Sequence, residues 1–266
     1  MRSCIGHGEM NSHIPNRVDF AYTIHTGQAP LFGHEHYLFD AQTSVITQDA
    51  DGDEINSNLY LPRNLKILVG DHRVVSLFSD LRRLSCRLNH ERRLQDSDFK
   101  LAICSIQYRL LSLENSVNGS MAECLRLAML VFLTTTFEIP ERAGQRYPYL
   151  SDRFRESCCG ISAEGPKSEA WNDFMMWLLI IGGVSLFGVD EVWLRELWEK
   201  VFPSNETWQT VRDRVKKFLW IDVLHDKLGK EMFNIFRGDG VDDLTAKKSK
   251  SSAWWLSGWG ICPLEL

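Results

Sequence analysis

The chain reads as an all-α protein, a multi-helix domain of stacked helix hairpins, and three observations carry that reading. Apolar residues between Asp71 and Phe236 recur at intervals of three and four, the spacing that lines one face of a helix. No segment alternates apolar and polar residues over any length, so no half-buried strand is expected. Six of the nine tryptophans fall between Met121 and Phe236, and so many large aromatics in one stretch demand a substantial packed core.

The elements follow in order. Residues 1–60 hold scattered Gly, Pro, His and Asn with an acidic patch from Asp49 to Glu54, and read as an irregular N-terminal arm. A helical domain is expected over 61–237. Val74, Leu77, Leu81, Leu84 and Leu88 share a helix face behind Asp71 as N-cap. Phe99, Ile103, Ile106, Leu110 and Leu113 form a second stripe, started by Asp96 or Ser97. After the Asn118-Gly119 turn, Ser120 and Glu123 have the spacing of a capping box. The helix they open is apolar on nearly every side from Leu125 to Leu133, as a central helix would be, and Pro140 limits its far end.

Residues 141–170 read as a polar connection with Tyr147-Pro148-Tyr149 and Gly165-Pro166 in it. Ser168 starts the next apolar helix. Asp190 opens another, with Trp193, Leu197 and Val201 on one face until Pro203 stops it. Trp208, Val211, Val215 and Phe218 line the following one, and Leu228, Met232 and Phe236 mark a short last helix. Residues 238–266 change character, with an acidic stretch, the basic run Lys247-Lys248-Ser249-Lys250 and an apolar end, and read as a mobile tail.

The bulk properties narrow the function classes. Apolar content of 44% and charged content of 24% are those of an ordinary globular protein. A net charge of -5 with the signs mixed argues against a surface that holds nucleic acid by itself. Seven irregularly spaced cysteines fit reduced thiols in an intracellular protein. Met1 to Arg17 lacks the apolar core of a secretory signal, which leaves the sequons at Asn118 and Asn205 with little meaning. The longest uncharged apolar run, from Phe174 to Val189, falls short of the roughly 20 residues of a spanning helix and reads as a buried core helix.

Candidate chemistry is sparse. His34-Glu35-His36 has metal-ligand residue types, but no matching Cys or His pair stands at zinc spacing, and no metal site is expected. Asp49, Asp51 and Asp53 hint at a calcium loop that fails, because its Gly is displaced and Tyr60 stands where a bidentate Glu is needed. The run Gly183-Val-Ser185-Leu-Phe-Gly188 is one residue too long for a nucleophile elbow, so Ser185 reads as a small packing residue. His225, close to Asp222 and Asp226, has the makings of an acid–base pair, although a His at a helix end more often meets the dipole and free carbonyls. No phosphate-binding Gly loop is present. The expectation is no catalytic residue, no metal and no cofactor.

Four blocks occur in a suggestive order: Ile106-Gln107-Tyr108-Arg109-Leu110-Leu111-Ser112-Leu113, Glu123-Cys124-Leu125-Arg126-Leu127-Ala128, Trp177-Leu178-Leu179-Ile180-Ile181-Gly182-Gly183 and Phe218-Leu219-Trp220-Ile221-Asp222. Together they resemble the C-terminal regulatory region of fungal-specific transcription factors of the zinc binuclear cluster type, over roughly residues 60–237. The family's DNA-binding module holds two zinc ions with six closely spaced cysteines. Here Cys4 stands alone and the next cysteine is Cys86, so none of those ligands carries over and no direct DNA binding is expected. The resemblance implies a helical regulatory domain, nuclear or else cytoplasmic, working through transcription-related proteins, a homo-dimer partner or a small-molecule effector. Two rival readings stay open: a helical enzyme with an unrecognised site, first tested at His225, Asp222 and Asp226, and a membrane-associated protein using Phe174 to Val189.

Overall fold

The computed structural model describes residues 14–29, 61–91, 97–136, 147–164, 168–203 and 205–238. Those residues form ten helices and no strand. They are α1 (Ile14–Thr26), α2 (Arg63–Val69), α3 (His72–Glu91), α4 (Ser97–Ser112), α5 (Ser120–Thr136), α6 (Pro148–Glu164), α7 (Glu169–Ser185), α8 (Val192–Val201), α9 (Trp208–Val215) and α10 (Asp222–Arg237). The all-α expectation holds.

Helices α5 and α7 make the centre. On α5, nearly every residue from Met121 to Thr134 is buried, the all-round apolar character read from Leu125 to Leu133. On α7 burial is continuous from Asp173 to Val184. The two helices pack on each other; α6, α4, α3 and α2 lie against α5, and α10, α8 and α9 against α7. Burying both faces of these helices is what makes their sequences uniformly apolar rather than striped. No described helix is long and apolar enough to cross a membrane.

Several starts follow their predicted chemistry. Asp71 Oδ1 accepts from the Arg73 N–H at 2.9 Å, capping α3. Ser168 caps α7 by accepting from the Trp171 N–H at 3.2 Å. Thr207, which the sequence reading did not single out, caps α9 by accepting from the Thr210 N–H at 3.3 Å.

Four local expectations change. The arm read as irregular contains α1, whose Phe20, Ala21 and Ile24 enter the core. The polar connection 141–170 contains α6, begun by Pro148 at its first position, where the missing N–H costs nothing. Leu150, Phe154, Cys158 and Ile161 are its buried stripe. The Ser120–Glu123 capping box gives way to a different use of Glu123, whose carboxylate holds Arg126 and Arg153. Phe218 is not on α9, which ends at Val215; it begins a non-helical connector. The possible ligands His34 and His36, the Asp49–Asp53 loop, Pro140 and the 239–266 tail lie outside the described residues.

Candidate functional site

A cluster of polar contacts gathers around the connector that runs from Phe218 to the first residue of α10, Asp222. Phe218, Leu219, Trp220 and Ile221 are all buried. A buried stretch without helical hydrogen bonds leaves backbone groups that must find other partners. Side chains from three helices supply them.

Arg82 on α3 donates to the Phe218 carbonyl. Trp177 on α7 donates its indole N–H to the Leu219 carbonyl at 2.9 Å. About two α3 turns beyond Arg82, Asn89 donates Nδ2–H to the Trp220 carbonyl at 3.0 Å and accepts the Asp222 N–H on Oδ1 at 2.8 Å. An amide side chain, with a donor and an acceptor on one plane, suits this two-sided grip. Finally, His225 on α10 accepts the Ile221 N–H on Nδ1 at 2.9 Å.

That last bond defines His225. Nδ1 accepts, so the ring's proton is on Nε2, which lies 2.8 Å from Thr135 Oγ1 on α5. The Thr135 hydroxyl in turn donates to the Phe132 carbonyl at 2.6 Å. The chain of bonds is complete with a neutral imidazole and leaves no ring nitrogen for a substrate. Burial holds the His225 pKa down at about 3. Trp220 and Phe132 enclose the ring, with centroids 5.1 and 5.5 Å away. A cation here would also face the positive end of α10.

The carboxylates that seemed to accompany His225 point elsewhere. Asp226 forms a two-pronged ion pair with Arg212 of α9, at 2.9 and 2.7 Å, and accepts the Trp220 indole N–H at 2.8 Å. Burial pushes the Asp226 carboxyl up, but Arg212 and Trp220 outweigh it and hold it below its ordinary value. Asp222 pairs with Lys216 at 2.8 Å. The acid–base trio is therefore adjacent in sequence but divided in space: an enclosed neutral imidazole and two carboxylates tied to α9 and its end. His225 also meets an amide at the start of its helix, not the carbonyls of an end.

Ser185 closes α7 and donates its hydroxyl to the Ile181 carbonyl of the preceding turn at 2.7 Å. Among the described residues, no three His, Cys, Asp or Glu side chains come together as a metal site.

Sequence reasoning missed a second buried knot. Arg126, 1% exposed, grips Glu123 through Nε and Nη2 at 2.7 and 2.8 Å and donates Nη1–H to the Leu110 carbonyl at 3.1 Å. Arg153 of α6 joins Glu123 at 2.9 Å. Burial raises the Glu123 carboxyl, and the two guanidinium groups more than reverse that, leaving it below its usual range. The signal was Arg126 itself, a charge within a helix apolar on every side, which must be paired to be there.

The four sequence blocks thus meet in pairs. Arg126 joins the Glu123–Ala128 block to Leu110 of the first, and Trp177 joins the third block to Leu219 of the fourth. Comparison with family models, with curated proteins and with solved structures finds no match to this chain.

Proposed function

We propose that this chain is a helical regulatory domain of the fungal transcription-factor kind, acting in the nucleus through protein or effector contacts. The observation that supports this reading is the bonding between the four blocks on which the resemblance rests. In two of the blocks a side chain bonds to the main chain of another, Arg126 to the Leu110 carbonyl and Trp177 to the Leu219 carbonyl, so the blocks are tied together in two pairs. A domain of this kind works by shifting between packings that a ligand or partner binds unequally. Side chains from α3, α7 and α10 hold the 218–222 connector, so a shift of any of them changes the others' bonds. The enzyme reading built on His225, Asp222 and Asp226 draws no support from their geometry, since the imidazole is enclosed and fully bonded.

The test is to join the whole chain to an unrelated DNA-binding module and place its target site before a reporter gene in a fungal host. The expected result is a reporter level that changes relative to the module alone. An unaltered level, from a fusion that accumulates in the nucleus with its helical circular dichroism intact, rejects the proposal.

A further inference from the structure

We propose that Asn118 is a self-modification site, at which the folded chain converts asparagine to aspartate and isoaspartate without an enzyme. The reaction needs a following amide nitrogen that is free, unhindered and able to approach the asparagine side chain. Asn118-Gly119 is the sequence's single Asn-Gly pair. Asn118, Gly119 and Ser120 are all exposed, on the turn between α4 and α5. Gly119 has φ +100° and no heavy atom within 4 Å of where a Cβ would stand. A backbone of that kind is open to glycine and to few other residues.

The state of the neighbouring N–H groups separates Asn118 from other asparagines. Ser116 N–H, after Asn115, donates to the Leu113 carbonyl at 3.0 Å, and Glu206 N–H, after Asn205, donates to the Pro203 carbonyl at 3.3 Å. The nitrogen after Asn172 lies inside α7. Gly119 N–H donates to no described residue, and only its carbonyl is engaged, accepting from the Glu123 N–H at 3.1 Å. The nitrogen that must attack is therefore free, while the carbonyl beyond it is anchored to the first turn of α5.

The steps balance with water alone. Gly119 N loses its proton to solvent base and bonds to Asn118 Cγ; the side-chain nitrogen leaves as ammonia, closing a succinimide ring. Water then adds to one of the two ring carbonyls. Opening on one side gives aspartate; opening on the other gives isoaspartate, which carries the main chain through the side-chain carbon. Either product places a new carboxylate just before the positive end of α5. Isoaspartate also lengthens the backbone by one methylene directly ahead of the helix that holds the Glu123–Arg126 knot.

The experiment is to incubate the intact, folded protein at mildly alkaline pH and follow each asparagine by peptide mass mapping, with a urea-unfolded sample beside it. In the folded protein, Asn118 is expected to convert first, ahead of Asn115, Asn172 and Asn205, and to yield two products of equal mass that separate by chromatography. Gly119→Ala is expected to slow conversion on the order of tenfold, by removing the freedom that glycine gives the backbone. Because alanine is strained at this φ, Asn118→Gln serves as a second variant and abolishes both products while leaving the turn's glycine in place. An Asn118 that stays intact in the folded protein, whether or not the unfolded chain converts, overturns the proposal. So does conversion of Asn115 or Asn205 at an equal rate.

Discussion

His225 shows how far a residue's role depends on distant partners. Its sequence neighbours suggested proton transfer, but its ring is fixed by Ile221 and by Thr135, which stands 90 positions earlier. Nothing local announces that pairing. The consequence is a pH dependence with a definite sign. The ordinary pKa is 6.5 and the folded value is about 3. Above the ordinary value neither state binds a proton there, and the stabilisation is complete. As pH falls from 6.5 towards 3, the unfolded chain takes up a proton that the folded chain refuses. Stability is then lost at up to about 1.4 kcal/mol per pH unit. Urea midpoints measured at about pH 7.5 and about pH 5 are expected to differ, and His225→Asn to shrink the difference. Equal pH dependence in the two proteins assigns the effect to another group.

At the scale of elements, the central helices were legible because burial on every side leaves an unmistakable apolar run, as in Leu125 to Leu133 and Phe174 to Val184. Helix α6 was hidden: its stripe of Leu150, Phe154, Cys158 and Ile161 is regular, but Asp152, Arg153, Arg155 and Glu156 dominate its composition. Helix α1 was harder still, since its core side carries Asp19 and Thr23 beside Phe20 and Ile24. The glycines of two helices give a paired prediction. Gly160, on the outer side of α6, has open space where a Cβ would stand. Gly160→Ala is expected to stabilise the protein by about 0.5–1 kcal/mol through helix propensity. Gly229 on α10 faces Trp208 and Trp220, whose ring atoms would lie 2.7 and 3.0 Å from an added Cβ. Trp220 is fully buried and the half-buried Trp208 packs against it and Phe233, so neither ring gives way freely and Gly229→Ala is expected to cost about 1–3 kcal/mol. Denaturant midpoints of the two variants should move in opposite directions; a shared direction would show that the α7–α9–α10 contact has room to relax.

At the scale of the whole molecule, the boundary drawn at residue 61 does not coincide with the limit of the packed core. Phe20 and Ile24 belong to the same hydrophobic cluster as the central helices. Tyr108 of α4 donates to Asp19 at 2.8 Å, and Gly27 lets the end of α1 come against the Tyr149 ring of α6. Removing residues 1–29 exposes the surfaces that α1 covers and deprives Tyr108 of Asp19. The loss is expected to be on the order of 5 kcal/mol, a large part of the stability of an ordinary domain. Thermal unfolding followed by circular dichroism should show a much lower, broader transition; an unchanged midpoint would make α1 an accessory. The sequence could not reveal this, because a helix with polar residues on its buried side has no stripe to read. The fold class was legible from periodicity, whereas both buried polar knots depend on pairings that periodicity does not encode.

The clamped connector also bears on how the chain reaches this state. Arg82 and Phe218 are 136 positions apart, and Asn89 lies 131 positions from Trp220. Helices form from neighbours in the chain, but these bonds wait until long loops have closed, which sets a slower pace than an all-helical protein of local contacts would keep. Until then Phe218, Leu219 and Trp220 present three large apolar side chains on backbone whose carbonyls have no protein partner. That stretch is where a half-assembled chain is most open to sticking to another copy of itself.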